Sequence, residues 1–280
     1  MAAVSATSPK VLVVMPAFNA AKTLESTIER LPAGCCSEIL VVDDGSRDQT
    51  VALAGRLPVT LLRHQRNLGY GAAQKTGYRE ALERGADLVV MLHPDGQYEA
   101  RLVPIAVEIL SLGILDVVLG NRIRTRREAL SGGMPRVKYL ANRGLTLLAN
   151  LLAGQNLGEW HSGFRAFRRE VLEVVPFEGN SDDFVFDSQL LLQAVHFGFR
   201  LGDLPMPVQY FPEASTISLS RATRYALSTL GFFGAWYAHR LRLSRSARFL
   251  PAAPVGRGLP AARHGAAPSS PTAFDSRRAP

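Results

Sequence analysis

Val41-Val42-Asp43-Asp44-Gly45-Ser46, answered about fifty residues later by Val90-Met91-Leu92-His93-Pro94-Asp95-Gly96-Gln97, decides how this chain is read. Each stretch is an apolar run of strand length that stops abruptly at carboxylates beside a glycine. A run that is apolar at every position, rather than at alternate ones, fits a strand covered on both faces, as strands in parallel sheets are. In open sheets of that kind ligands bind just beyond the carboxyl ends of the strands. Two strands delivering acids to that edge imply a site for a divalent cation and a polyol or nucleotide.

Working outward, the same alternation fills the first half of the chain. Val11 to Met15 is a β-branched-rich run stopped by Pro16, and Ala20 to Leu31 follows with Leu24, Ile28 and Leu31 on one helical stripe. Strand Ile39–Val42 leads to a short helix near Asp48–Arg56, strand Val59–Leu62 to a helix over Gly71–Arg84, and strand Asp87–Leu92 to helix Leu102–Leu112 and strand Asp116–Leu119. Repeated strand–helix units of this length predict an α/β fold whose mostly parallel sheet is joined by right-handed crossovers. The second half is less regular. Asn121 to Arg136 reads as a mobile loop, Val137 to Ala153 as an amphipathic helix, Phe164 to Phe167 as a short strand and Phe184 to Phe197 as a helix. Leu201–Phe211 is expected to be extended and Ser220 to Leu243 to form one long helix. The predicted organisation is a flexible start over residues 1–9, one domain over 10–218, a C-terminal amphipathic helix over 219–243, and a disordered basic tail over 244–280.

The formal charge of +8 looks at first like a nucleic-acid signal. It is concentrated at the end of the chain, where eight arginines from Arg240 onward face a single acid, Asp275. The body is nearly neutral and offers no basic face with interleaved aromatics, which argues against nucleic acid. An anionic membrane surface suits such a tail better. The only cysteines, Cys35 and Cys36, are adjacent and give no disulfide framework, so a reducing, cytoplasmic compartment is expected. Met1 to Lys10 lacks the features of a secretory signal, and no apolar run reaches the ~18 residues of a membrane span.

A lone Asp after a strand is usually turn chemistry. Two in succession after four apolar residues, Asp43 and Asp44, point instead to hydrogen bonds with a ribose hydroxyl or a pyrimidine N–H. Asp95 and Gln97, flanking Gly96, put a carboxylate and an amide oxygen within reach of one hard cation, which prefers oxygen ligands. Gly69-Tyr70-Gly71-Ala72-Ala73 mimics a dinucleotide fingerprint, but it follows the third strand rather than the first. These glycines are therefore read as letting the chain pass close to a bound donor at a helix start.

The order Pro16-Ala17-Phe18-Asn19, Val42-Asp43-Asp44-Gly45-Ser46, Arg66-Asn67-x-Gly69-x-Gly71, His93-Pro94-Asp95-Gly96-Gln97, Gly120-Asn121-Arg122 and Ser162-Gly163-Phe164-Arg165 resembles family 2 glycosyltransferases. Within them it looks most like the branch of polyprenyl-phosphate (dolichyl-phosphate) mannose and glucose synthases, over about Lys10 to Phe211. The resemblance implies a GT-A fold and an inverting hexosyltransferase that uses a UDP- or GDP-sugar. Pro16, Ala17, Asn19, Asp43, Asp44, Gly69 and Gly71 would then surround the donor, and Asp95 and Gln97 would hold Mg²⁺ or Mn²⁺. The synthases usually place Asp-x-Asp at strand four, and here His93 stands at the first acid.

Arg122, Arg136 and Arg165 are candidates for the diphosphate or an acceptor phosphate, because a guanidinium matches phosphate oxygens in bidentate fashion. His161 and Ser162 join them as acceptor-side candidates. Asp182, Asp183 and Asp187 stand where inverting members of the superfamily place a base. Acids opening a helix also simply stabilise its dipole. A lipid phosphate, with a second pKa of about 6, is already largely ionised and needs no strong base. The helix after Ser220, rich in aromatics and followed by Arg240, Arg242, Arg245 and Arg248, fits an interfacial helix on an anionic membrane as well as a packed one. The expectation is transfer to a polyprenyl phosphate by a peripheral protein at the cytoplasmic membrane face. The alternative is a soluble family 2 enzyme acting on a polysaccharide, a protein or a small metabolite.

Overall fold

The computed structural model describes residues 8–123, 125–207 and 219–252. A single sheet organises them: β1 (Val11–Ala17), β2 (Glu38–Asp43), β3 (Thr60–Arg63), β4 (Leu88–Leu92), β5 (Val117–Asn121), β6 (Phe164–Arg168) and β7 (Leu201–Pro205), in the order β3-β2-β1-β4-β6-β5-β7. Neighbours run parallel except at β6, which is antiparallel to both β4 and β5. Successive side chains of a strand point to opposite faces, and both faces of this sheet are covered. Leu12, Val14, Leu40, Val89, Met91, Val117 and Leu119 pack on one side, and Val11, Val13, Met15, Val41, Val90, Leu92 and Val118 on the other. That double burial is why the strands are apolar at every position.

The first side is covered by α3 (Tyr70–Glu83), α6 (Arg136–Ala153), α8 (Phe186–His196) and α9 (Leu219–Arg240), and the second by α1 (Leu24–Glu29), α2 (Thr50–Ala54) and α4 (Val103–Ser111). Pairing of Ala17 with Asp43 and of Val14 with Met91 brings the carboxyl ends of β1, β2 and β4 to one edge. The site is built on that edge.

Four features differ from the sequence reading. Residues 121–136, expected to be a loop, contain α5 (Arg126–Ser131), whose start is capped by Thr125 Oγ1 accepting from the Glu128 N–H at 3.1 Å. Thr125-Arg126-Arg127-Glu128 has the spacing of a capping box, a legible signal that the arginine-rich composition obscured. A further helix, α7 (Arg169–Val174), was not anticipated. The antiparallel course of β6 has a local cause. After α6 the chain doubles back along it, with Asn150 bonding both Leu157 and the Trp160 indole. It therefore re-enters the sheet at the carboxyl edge, where the His93 N–H meets the Gly163 carbonyl.

The last correction concerns the tail, expected to be disordered from residue 244. Residues 244–252 instead fold back against α8 and α9. Phe249 is buried against Phe232, His196 and His239, the Gln193 amide donates to the Arg248 carbonyl at 2.7 Å, and the Ala252 N–H reaches the Val174 carbonyl at 2.9 Å. The rest of the expected tail, 253–280, the first seven residues, and the end of the expected extended segment, 208–211, lie outside the described residues.

Candidate active site

Asp43 ends β2 at the rim of a cavity of about 580 Å³ lined by Phe18, Gly45, Ser46, Arg47, Arg63, His64, Arg66 and neighbouring residues. That volume lies within the range of small-molecule sites. The exposed Phe18 ring and three arginines at its wall are site residues the sequence reading passed over, although Phe18 stands inside the quoted Pro-Ala-Phe-Asn motif. Asn19, in the left-handed region at φ 53°, ties the two loops of this rim together. Its N–H donates to Ser46 Oγ at 2.8 Å, and its side-chain oxygen accepts from the Arg47 N–H at 2.9 Å. A short amide side chain is one of the few that tolerate that backbone conformation.

Asp44 takes a different place from its neighbour. Its carboxylate is buried and accepts from the Leu68 N–H (2.8 Å), the Gly69 N–H (3.0 Å) and lies 2.7 Å from His64 Nδ1. It holds up the loop that follows β3 rather than facing the cavity. Gly69 and Gly71 also answer to a different neighbour than expected. A Cβ on Gly69 would lie 2.3 Å from the Asp182 carbonyl, and one on Gly71 would lie 2.4 Å from the Ser181 carbonyl. What passes close to the start of α3 is the 181–182 backbone, clamped by a 2.7 Å bond from the Gly71 N–H to the Asp182 carbonyl.

Across β1 from Asp43 and Asp44, the Asp95 carboxylate is half-exposed just past β4. Its Oδ1 accepts from the Gln97 N–H at 3.0 Å, and its Oδ2 lies 3.9 Å from His93 Nδ1. Burial alone would raise this carboxyl, but His93, the Gln97 amide and Arg122 together hold it below the usual carboxylate range. Gln97 is buried beside it. Among the described residues no three His, Cys, Asp or Glu side chains gather into a cluster that could hold a metal ion by themselves. The donor set fits a hard cation that shares its coordination between this loop and phosphate oxygens of a ligand.

Two of the three arginines expected to meet phosphate, Arg122 and Arg165, are committed to protein carboxylates. Arg122 is buried against the fully buried Glu159, with its N–H and Nε 2.9 and 3.0 Å from the carboxylate and its Nη2 2.9 Å from the His161 carbonyl. Burial would raise Glu159, yet the Arg122 charge keeps it below the ordinary range. Arg165, fully buried on β6, faces Asp187 at 2.5 Å. Arg136 is exposed at the first turn of α6. Lys138, half-buried two residues on, lies in the field of Arg122, Glu159 and Asp95, and its pKa is lowered chiefly by burial. It is a further residue that sequence reasoning missed.

The three candidate acids separate in the same way. Asp182 is exposed and paired with Lys75 Nζ at 2.8 Å, and Asp183 caps the turn by accepting from the Phe184 N–H. Asp187 is turned inward, accepting from Gln74 Nε2 at 2.8 Å and the Tyr70 hydroxyl at 3.1 Å besides facing Arg165. His161 Nδ1 lies 2.7 Å from the Tyr225 hydroxyl, which meets Ser188 Oγ at 2.6 Å, while its Nε2 is buried without a partner. Burial pushes its pKa down to about 4. Ser162 Oγ accepts from the Phe164 N–H, so it starts β6 and is buried there.

A doubly covered sheet with acids at the ends of β2 and β4, which flank β1, and a cavity of about 580 Å³ beside the first of them defines an α/β protein whose site lies at the carboxyl edge of its sheet. Residues 12–175 match the family model for glycosyl transferase family 2, and the chain belongs to that family of enzymes. An uncharacterized protein of Methanocaldococcus jannaschii is 31% identical over 214 residues, covering 76% of this chain and 86% of that one. The UDP-N-acetylglucosamine–dolichyl-phosphate N-acetylglucosaminyltransferase of Methanococcus voltae is 26% identical over 80% of this chain and 93% of its own. The polyprenol monophosphomannose synthase of Mycolicibacterium smegmatis is 28% identical over 70% and 76%. Among solved structures, glucosyl-3-phosphoglycerate synthase of Mycobacterium tuberculosis superposes with a TM-score of 0.62 at 22% identity, covering 81% of this chain and 80% of that one. The fold is thus of the GT-A type.

Proposed function

We propose that this enzyme passes a hexose from a UDP- or GDP-sugar to a polyprenyl phosphate, with inversion at the anomeric carbon and the help of Mg²⁺ or Mn²⁺. The observation that carries the reading is the juxtaposition of the Asp43 cavity with the Asp95 loop on strands that flank β1. Asp43 would accept hydrogen bonds from the nucleoside, with Phe18 offering a ring face to the base and Arg47, Arg63 and Arg66 a positive wall. Asp95 and Gln97 would hold the cation, which supplies charge neutralisation to the departing diphosphate. The acceptor oxygen would attack the anomeric carbon from the face opposite the diphosphate, so one C–O bond forms as the other breaks.

The state of the acids favours an acceptor that arrives ionised. Asp182 is held by Lys75, Asp183 by a backbone N–H and Asp187 by Arg165. A hydroxyl acceptor would need one of them as base, and a phosphate would not. Both named relatives act, by their names, with dolichyl phosphate or a polyprenol.

No helix among the described residues is long and apolar enough to cross a membrane. The outward faces of α6 and α9 are nevertheless rich in exposed leucines: Leu140, Leu147 and Leu151 with Val137 on the first, and Leu227 and Leu230 on the second. Neither helix contains an acid, whereas Arg136, Arg143, Arg224 and Arg240 lie on them. Such a face supports peripheral docking on an anionic bilayer. The deciding experiment measures nucleoside diphosphate release from a panel of UDP- and GDP-sugars with Mg²⁺ or Mn²⁺, with and without a short polyprenyl phosphate. Release that requires the lipid phosphate is expected. Donor binding with no lipid-stimulated release would overturn the acceptor and turn attention to soluble ones.

A further inference from the structure

We propose that His93 is itself a ligand of the divalent cation, presenting Nδ1 beside the Asp95 carboxylate in a mixed nitrogen–oxygen set, with Tyr70 as the residue that positions it. The inference rests on the metal-assisted reading above and deepens it, because it says which cation the site is built for.

The argument starts from one proton. The Tyr70 hydroxyl lies 3.1 Å from Asp187 Oδ2 and 2.6 Å from His93 Nε2. Asp187 faces the guanidinium of Arg165 and accepts from Gln74 Nε2, so its carboxylate serves as an acceptor there. The single hydroxyl proton of Tyr70 therefore goes to Asp187. The phenol oxygen is left as an acceptor, and His93 must donate to it from Nε2. Nε2 therefore keeps its proton in either form of the ring, and a cation displaces the proton from Nδ1, whose lone pair then becomes the metal-binding one. That nitrogen is the one turned toward Asp95 Oδ2, 3.9 Å away.

The ring is held in this orientation from several sides. Tyr70 and Tyr98 meet it edge-on, with centroid separations of 5.2 and 5.7 Å, and the His93 N–H is bonded to the Gly163 carbonyl. Gly163 keeps the Nδ1 side uncovered, since a Cβ there would lie 2.5 Å from that nitrogen. An imidazole that gives its other N–H to a partner fixed by a carboxylate, with its free nitrogen next to a second ligand group, has the arrangement of metal-bound histidines. No third side chain of that kind joins His93 and Asp95 among the described residues, so the remaining positions belong to Gln97, diphosphate oxygens and water. An imidazole in the set favours Mn²⁺ over Mg²⁺, which takes oxygen ligands.

The test is pulsed electron paramagnetic resonance of Mn²⁺ bound to the full chain with UDP, and separately with GDP. A ¹⁴N coupling is expected in the unaltered protein and should vanish in H93D, which should also bind Mg²⁺ relatively better than Mn²⁺. Y70F, which keeps the ring and its packing, should weaken Mn²⁺ about tenfold. Mn²⁺ bound without any ¹⁴N coupling, or a coupling that survives in H93D, overturns the assignment and leaves the proposed reaction standing. No Mn²⁺ retained with either diphosphate overturns the metal-assisted reading and the ligand assignment with it.

Discussion

Asp43 and Asp44 are consecutive, yet their side chains do different work, and single substitutions should separate them. Asp44→Ala leaves the part-buried Leu68 and Gly69 N–H groups and the His64 ring without their acceptor, a loss of about 2 kcal/mol. Denaturant unfolding should show it. Asp43→Ala removes only two long contacts to the Ser46 N–H and should cost under about 1 kcal/mol. The same change should weaken UDP or GDP binding tenfold or more by calorimetry. At His161 the folded-state pKa of about 4 lies below the usual 6.5, so between those values the unfolded chain binds a proton that the folded one does not. Stability then rises with pH across that window, and acidification from about 6.5 toward 4 should remove up to about 1.4 kcal/mol per pH unit. His161→Gln should flatten that part of the stability–pH curve. The strand-end acids were legible because two carboxylates closing an apolar run need a reason. The roles of Arg122 and Arg165 were not. Their partners, Glu159 and Asp187, lie far along the chain, and an arginine letter says nothing of whether it meets solvent or a buried carboxylate.

At the scale of elements, α6 is the least expected in its surroundings. Its predicted limits agree with Arg136–Ala153, but a stripe of leucines and Val137 is turned to solvent rather than to the sheet. Amphipathic spacing reports that a helix has an apolar face and is silent on what covers it. In this helix Asn142, Thr146, Ala149 and Ala153 face the body, so the larger apolar side chains face out. The double variant Leu147→Glu, Leu151→Glu should leave the melting temperature and UDP binding unchanged, because both positions are more than 70% exposed. It should abolish flotation with vesicles containing anionic lipid. Binding that persists in the variant would remove α6 from the docking face. The reversed direction of β6 was beyond the sequence for a comparable reason: Phe164–Arg168 reads the same in either direction. The path of the connection decides it.

For the molecule as a whole, the parallel half of the sheet was legible almost strand by strand, since double burial writes itself into unbroken apolar runs. The ordered stretch after α9 was not, because one phenylalanine among arginines and serines carries little weight in a composition. Phe249 nonetheless closes the core between α8 and α9. Phe249→Ala should cost about 3 kcal/mol or more, read as a drop in thermal midpoint without loss of the donor site. The clamp at the start of α3 reaches further. Gly69 and Gly71 press the loop carrying Leu68 against the backbone of Ser181 and Asp182, while Asp44 anchors that loop from below. The loop walling the cavity beside Asp43 and the segment leading into Asp187 thus share one seam. A donor that stiffens the first must stiffen the second, and the kinetics should carry the imprint of that sequence. Substrates would add in a compulsory order, sugar nucleotide before acceptor, and the freed diphosphate would compete with the nucleotide alone in product-inhibition experiments.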